Sequence, residues 1–340
     1  MNIYQLIQLD DRSATPKYLQ LANALLRALE QGLIGPDYPL PSINELSFEL
    51  DISRDTAEKS FRHLKQLGVI GSFPGKGYFI QQPGFRQKHS VLLLFNKLSA
   101  HKKIIYDAFA ERLGNDASID FYVYNNDFGL FKKLLQSRQG NYSDYVIIPH
   151  FLDSNEHAKA LLDELPGGNL VLMDKLIPNL KRKFGAVFEP FEQDIYRALQ
   201  EALPRLTRYR TLKIIFPAYT YFPEAILQGF RCFCQDYAFP HHVVSDVSTD
   251  ALQEGDMYIN LMEDDLVILL EKMQVSSLQP DKDIGIICYN ETPWKRFILN
   301  GITTISTDFR KMGEMAAEMV LNGQQELREV PFTLTMRDSL

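Results

Sequence analysis

Apolar residues recur at helical spacing through Tyr18, Leu21, Ala22, Leu25, Leu26 and Leu29, and the run stops at Gly32. Thr15-Pro16 in front of it reads as an N-cap followed by proline at the first helical position. After the turn of Gly35-Pro36 and Pro39, Ser42-Ile43-Asn44-Glu45 has the form of a capping box. It predicts a second helix with Ile43, Leu46 and Leu50 inward, ending at Asp51. Ser53 is placed to cap a third helix, with Asp55 set early against the helix dipole and Ala57, Phe61, Leu64 and Leu67 buried before Gly68. Two short helices joined by so tight a turn predict a helix-turn-helix. Two β-prone runs follow, Val69 to Phe73 and Tyr78 to Ile80, separated by Pro74-Gly75-Lys76-Gly77, and they predict a hairpin. Together these elements make an α+β winged helix over residues 1–80.

Residues 81–90, QQPGFRQKHS, are polar, contain Pro83-Gly84 and separate unlike patterns, so they predict a linker. From 91 to 340 short apolar runs alternate with amphipathic segments. The strand candidates are Val91 to Phe95, Phe121 to Tyr124, Tyr145 to Ile148, Leu170 to Met173, Ala186 to Phe188, Leu212 to Phe216, His242 to Val244, Met257 to Asn260 and Ile284 to Cys288. Helical segments such as Ile104 to Leu113, Phe191 to Leu206, Glu224 to Tyr237, Asp265 to Met273 and Lys311 to Leu321 lie between them. That alternation predicts an α/β body with parallel sheets, and the strand count suffices for two of them. Such folds take ligands at the carboxyl ends of their strands.

Composition narrows the function. No apolar run approaches the roughly 18 to 20 residues of a membrane span, and the N-terminal MNIYQLIQLDDRS lacks the pattern of a secretory signal, so a cytoplasmic protein with no membrane partner is expected. Three cysteines, Cys232, Cys234 and Cys288, are too few for a disulfide framework and read as buried thiols. No nucleophile, dinucleotide or paired-cysteine signature is present, which predicts no enzyme, no cofactor and no metal. The net charge of −7 argues against an indiscriminate nucleic-acid binder. Even residues 1–80 hold eight Lys or Arg against nine Asp or Glu, so any DNA contact must come from a local patch. Arg54 and Thr56 at the start of the third helix, with Ser53 as cap, are placed for a major groove, while Lys76 between Gly75 and Gly77 is placed for a phosphate.

Residues 15–80 resemble the GntR-family winged helix through LPSINEL, ISRDTAEKSFRHLKQLGVI and PGKGYFI. The resemblance implies double-stranded operator DNA as partner and a reading surface of Ser42, Asn44, Ser53, Arg54, Thr56, Lys59, Gly75, Lys76 and Gly77. Asn44 and Glu58 stand where that family often has Arg, so an unusual operator is implied. Residues 90–340 are similar to the periplasmic-binding-protein-like body of the LacI type, through NLVLMDK, DIGIICYNETPW, GITTISTDFRKMGEMAAEMVLNG and the terminal TMRDSL. That implies two subdomains around a cleft, with Asp174 as a sugar acceptor, Asn290 opposite it, and Glu224 and Glu263 where the family has other polar groups. Asn96, His150 and Phe151, which follow strands, face the same cleft. Trp294, the only tryptophan, stands four residues after Asn290 and is a candidate for stacking on a pyranose or for simple burial. The combination resembles arabinose and fucose-responsive repressors of carbohydrate-utilisation genes, released from DNA by a neutral monosaccharide. A sugar-binding module without DNA binding and an effector-dependent activator are the alternatives. A homodimer is expected, with Met312, Met315, Ala316, Met319 and Val320 available to pair across a two-fold axis or to fill a core.

Overall fold

A computed structural model describes residues 2–73, 77–81, 87–138, 140–151, 155–218, 220 and 222–340. The described N-terminal elements are α1 (Lys17–Glu30), β1 (Pro39–Leu40), α2 (Ile43–Glu49), α3 (Arg54–Gln66), β2 (Ile70–Phe73) and β3 (Gly77–Ile80). The capping box forms as expected: Glu45 N–H donates to Ser42 Oγ at 3.2 Å and Ser42 N–H donates to Glu45 Oε2 at 2.7 Å. Between α2 and α3 the backbone turns at Asp51, whose φ of +49° is tolerated by a short polar side chain. Leu21, Leu25, Leu46, Phe61, Leu64, Ile70 and Ile80 close one core beneath the three helices and the hairpin.

Two features of this head differ from the sequence reading. Helix α1 begins at Lys17, and Pro16 is its N-cap, without any side-chain cap. Thr15 is withdrawn from capping because its hydroxyl bonds to the backbone of the body at Ile119 and Phe121. Pro39 and Leu40 add a third strand, antiparallel to β3, which a two-residue segment starting with proline does not announce. The expected wing residues Pro74, Gly75 and Lys76 lie outside the described residues.

The chain continues through β4 (His89–Phe95), α4 (Ala100–Leu113), β5 (Ala117–Val123), α5 (Phe128–Gln136), β6 (Asp144–Ile147), α6 (Asn155–Asp163), β7 (Asn169–Asp174) and β8 (Gly185–Phe188). It then forms α7 (Phe191–Leu206), β9 (Thr211–Ile215), α8 (Ala225–Asp236), β10 (His241–Val244), β11 (Asp256–Asn260), α9 (Glu263–Ser276), β12 (Gly285–Tyr289) and β13 (Thr303–Thr307). Helix α10 (Phe309–Asn322), β14 (Leu327–Glu329) and β15 (Phe332–Thr335) end it. Two six-stranded sheets result, in the orders β14-β8-β7-β6-β4-β5 and β10-β9-β11-β12-β13-β15. All their pairings are parallel except β13 with β15. The chain passes between the sheets after β8, after β13 and after β14. These crossings lie side by side, for Val330 N–H donates to Phe188 O at 3.0 Å and Asp308 N–H donates to Pro331 O at 2.9 Å. Strand β4 starts at His89, two residues inside the expected linker.

Of the two roles open to the apolar face of α10, filling a core is the one found: Met312, Met315, Ala316, Met319 and Val320 are all buried in the first subdomain's own core. Gly313 brings α10 so close to α4 that an added Cβ would lie 2.4 Å from Ile105 O. Cys234 and Cys288 are buried, but Cys232 is exposed, because two residues apart on α8 is about 200° around the helix.

Candidate functional site

On the head, α3 opens with Ser53 Oγ accepting the Thr56 N–H at 3.1 Å, and the two hydroxyls lie 2.8 Å apart. Both side chains therefore shape the helix start. Lys59 is paired with Asp55 at 2.7 Å and Arg62 with Glu58 at 3.1 Å, each one turn apart on exposed helix surface. Arg54 is exposed at the first position of α3 and has no ion pair among the described residues. Asn44 and Ser42 are exposed at the start of α2, and Gly77 is exposed at the start of β3. Gly75 and Lys76 lie outside the described residues.

The second candidate site lies between the two sheets of the body, where strand ends from both meet. Asp174 ends β7 with φ +74° and Asn290 follows β12 with φ +66°, a left-handed turn that short polar side chains tolerate. Asp174 is buried, its Oδ1 lying 2.9 Å from His150 Nε2 and its other oxygen accepting from Lys102 Nζ. Burial opposes ionisation of this carboxyl, but Lys102 and His150 outweigh it and hold the group below the usual carboxylate range. Asn96, His150, Asp174, Glu189, Tyr289 and Asn290 line a cavity of about 40 Å³. An adjoining cavity of about 210 Å³ shares Lys97, His101, Phe222, Tyr289 and Asn290 with it and reaches Glu263 at the N-terminus of α9.

Four predicted residues, Asn96, His150, Asp174 and Asn290, line the same small cavity. Phe151 does not line it: the ring is buried against Tyr124 and Phe131, with centroids 5.2 and 4.9 Å away. Glu224 is exposed immediately before α8 and Trp294 is 36% exposed on a 3-10 turn, and neither lines these two cavities.

Sequence reasoning missed Lys102, Glu189, Tyr289, Lys97 and His101. Lys102 left a trace, since it shares the helix face of Ile105 and Phe109, where a cation has no business unless it is paired. Glu189 left another, directly after the apolar strand Gly185 to Phe188. Its own burial and the nearby Asp174 push its carboxyl well above the usual range. Burial, with Lys102 adding to it, lowers His101 to about 3 and keeps that ring neutral. Asn96 Oδ1 and Tyr289 Oη, buried polar atoms with no hydrogen-bond partner among the described residues, come from residues that line the cavity from opposite subdomains.

Comparison with known proteins fits this division. Residues 17–80 match the bacterial regulatory proteins of the gntR family. They form a GntR-type helix-turn-helix domain. Over 77 residues the chain is 31% identical to the HTH-type transcriptional repressor YtrA of Bacillus subtilis, a match covering 23% of this chain and 59% of that protein. A second match, 31% over 68 residues, is to an arabinose metabolism transcriptional repressor of Geobacillus stearothermophilus and covers 20% of this chain but 19% of the relative. The chain thus spans less than two thirds of either relative. The body is similar in fold to a LacI family transcriptional regulator from Enterococcus faecium with bound ribose, at a TM-score of 0.57 and 14% identity, covering 74% of this chain and 98% of that one. A winged head is therefore followed by an α/β body of the LacI-type fold. No helix among the described residues is long and apolar enough to cross a membrane.

Proposed function

We propose that this protein is a DNA-binding transcriptional repressor whose operator affinity falls when a neutral monosaccharide occupies the cleft. The observation that carries the reading is the convergence of Asn96, His150 and Asp174 from one sheet with Tyr289 and Asn290 from the other on one cavity. A ligand held there touches both subdomains, so it binds their closed arrangement better than an open one, and only such differential affinity shifts a conformational equilibrium. Neutrality is favoured because Asp174 is already compensated by Lys102, and because the burial of Glu189 beside Asp174 opposes a second negative charge at the deep end. Asn96 Oδ1 supplies an acceptor and Tyr289 Oη either a donor or an acceptor, which suits hydroxyls such as those of arabinose or fucose. On the head, Arg54 with Ser42, Asn44, Ser53, Thr56, Lys59 and the wing residues Gly75, Lys76 and Gly77 faces operator DNA, and two heads of a homodimer read its two half-sites. A thermal-shift screen of free pentoses, hexoses and sugar phosphates tests the ligand class. Stabilisation by an uncharged sugar is expected; stabilisation by phosphorylated sugars alone contradicts neutrality.

A further inference from the structure

Strand β5 is the outermost strand of the first sheet, and an edge strand leaves backbone groups open to pairing. In this chain the segment just before α1 occupies that edge. Ser13 makes an antiparallel bridge with Tyr122, and Ala14 N–H donates to Phe121 O at 2.8 Å. Phe121 N–H donates to Thr15 Oγ1 at 2.8 Å, and the same hydroxyl donates to Ile119 O at 3.3 Å. Gln20, buried on α1, ties the segment back to the head: its Oε1 accepts from Asp10 N–H at 2.8 Å and its Nε2 donates to Thr15 O at 2.7 Å. Two charged contacts flank the bridge. Arg27 of α1 reaches Asp120 of β5 at 3.0 Å, and Arg138, just beyond α5, pairs with Asp10 at 2.5 Å while lying 4.3 Å over the Tyr122 ring.

We propose that residues 10–15 are a latch that completes the edge of β5, so that the head moves with the first subdomain as one unit and the link through residues 81–90 does not set its orientation. The strand so held also borders the cleft. Beyond its carboxyl end Asn126 Oδ1 accepts from Asn96 Nδ2 at 2.8 Å, and Asn96 lines the ligand cavity. The latch is therefore the route by which cleft closure re-aims the head, a consequence that rests on the function proposed above.

Two variants of the full chain test it. Ala14→Pro removes the N–H that bonds Phe121, and Thr15→Val removes the hydroxyl while keeping the side chain's shape. Hydrogen exchange over residues 117–123 needs no DNA and no ligand. The latch predicts exchange about ten-fold faster in both variants, with β6 and β7 unchanged. Exchange equal to the parent's in both overturns the latch, whatever the protein binds. The second arm uses L-arabinose and L-fucose as probes with a duplex selected from a random pool by the parent protein. Both variants are expected to keep the parent's sugar affinity while the factor by which sugar weakens DNA binding falls about five-fold or more. A parent-like factor alongside fast exchange overturns the re-aiming role. Failure of the parent to bind either sugar or DNA counts against the proposed function and leaves the exchange result to decide the latch.

Discussion

At the scale of single residues, pairing decides what is free to act. Lys59 and Arg62 are held by acids on their own helix, whereas Arg54 is exposed and has no ion pair among the described residues. Arg54→Ala is expected to cost about 1 to 3 kcal/mol of operator affinity in a gel shift at fixed salt if it reads a guanine. Asp174 is the opposite case, because it serves Lys102 as well as any ligand. Asp174→Ala should abolish sugar binding and also destabilise the fold by about 3 to 5 kcal/mol, since an unpaired ammonium stays buried. Adding Lys102→Met should restore stability in urea unfolding without restoring sugar binding. Asp194 gives a pH signature. Burial raises its carboxyl to about 7, and Oδ2 is buried without a hydrogen-bond partner among the described residues. The folded state therefore binds this proton more tightly than the unfolded state, so its stabilising contribution is present at acid pH and is lost as pH rises towards and through 7. Asp194→Asn removes that loss, and its melting temperature should exceed the parent's at pH 8 by more than at pH 5.

Among the elements, those with their own periodicity were legible and those defined by partners were not. Helix α7 falls where its apolar spacing places it, and the strands from β4 to β12 lie within a few residues of their apolar runs. By contrast β13 reads Thr-Thr-Ile-Ser-Thr and is buried throughout, so its polar side chains hide a central strand that bonds β12 and β15. The candidate site was partly legible for a similar reason. Asn96, Asp174 and Asn290 sit at strand ends, which sequence locates. Tyr289 and Glu189 sit inside or directly after apolar runs, where only the meeting of two sheets reveals their role. The same hidden closeness governs helix packing. A Cβ at Gly229 on α8 would lie 2.2 Å from Glu192 O of α7, and one at Gly313 would meet α4. Gly229→Ala and Gly313→Ala should each destabilise by about 1 to 3 kcal/mol in urea unfolding, because backbone must separate to admit the methyl.

For the whole molecule, the proposed function joins a DNA-reading head to a cleft about which two subdomains would move. Coupling between two such sites is reciprocal: sugar must weaken DNA by the factor that DNA weakens sugar. On the function proposed above, the three adjacent crossings between the sheets would be the hinge, and the buried Lys102–Asp174–His150 cluster the wall against which a ligand would close it. The most direct measurement is calorimetric titration of a stabilising sugar into the full chain, alone and saturated with a selected operator duplex. Under the proposed function, sugar affinity is lower by about 5 to 150-fold on DNA, matched by the same factor in operator release. Equal sugar affinity with and without operator would contradict it.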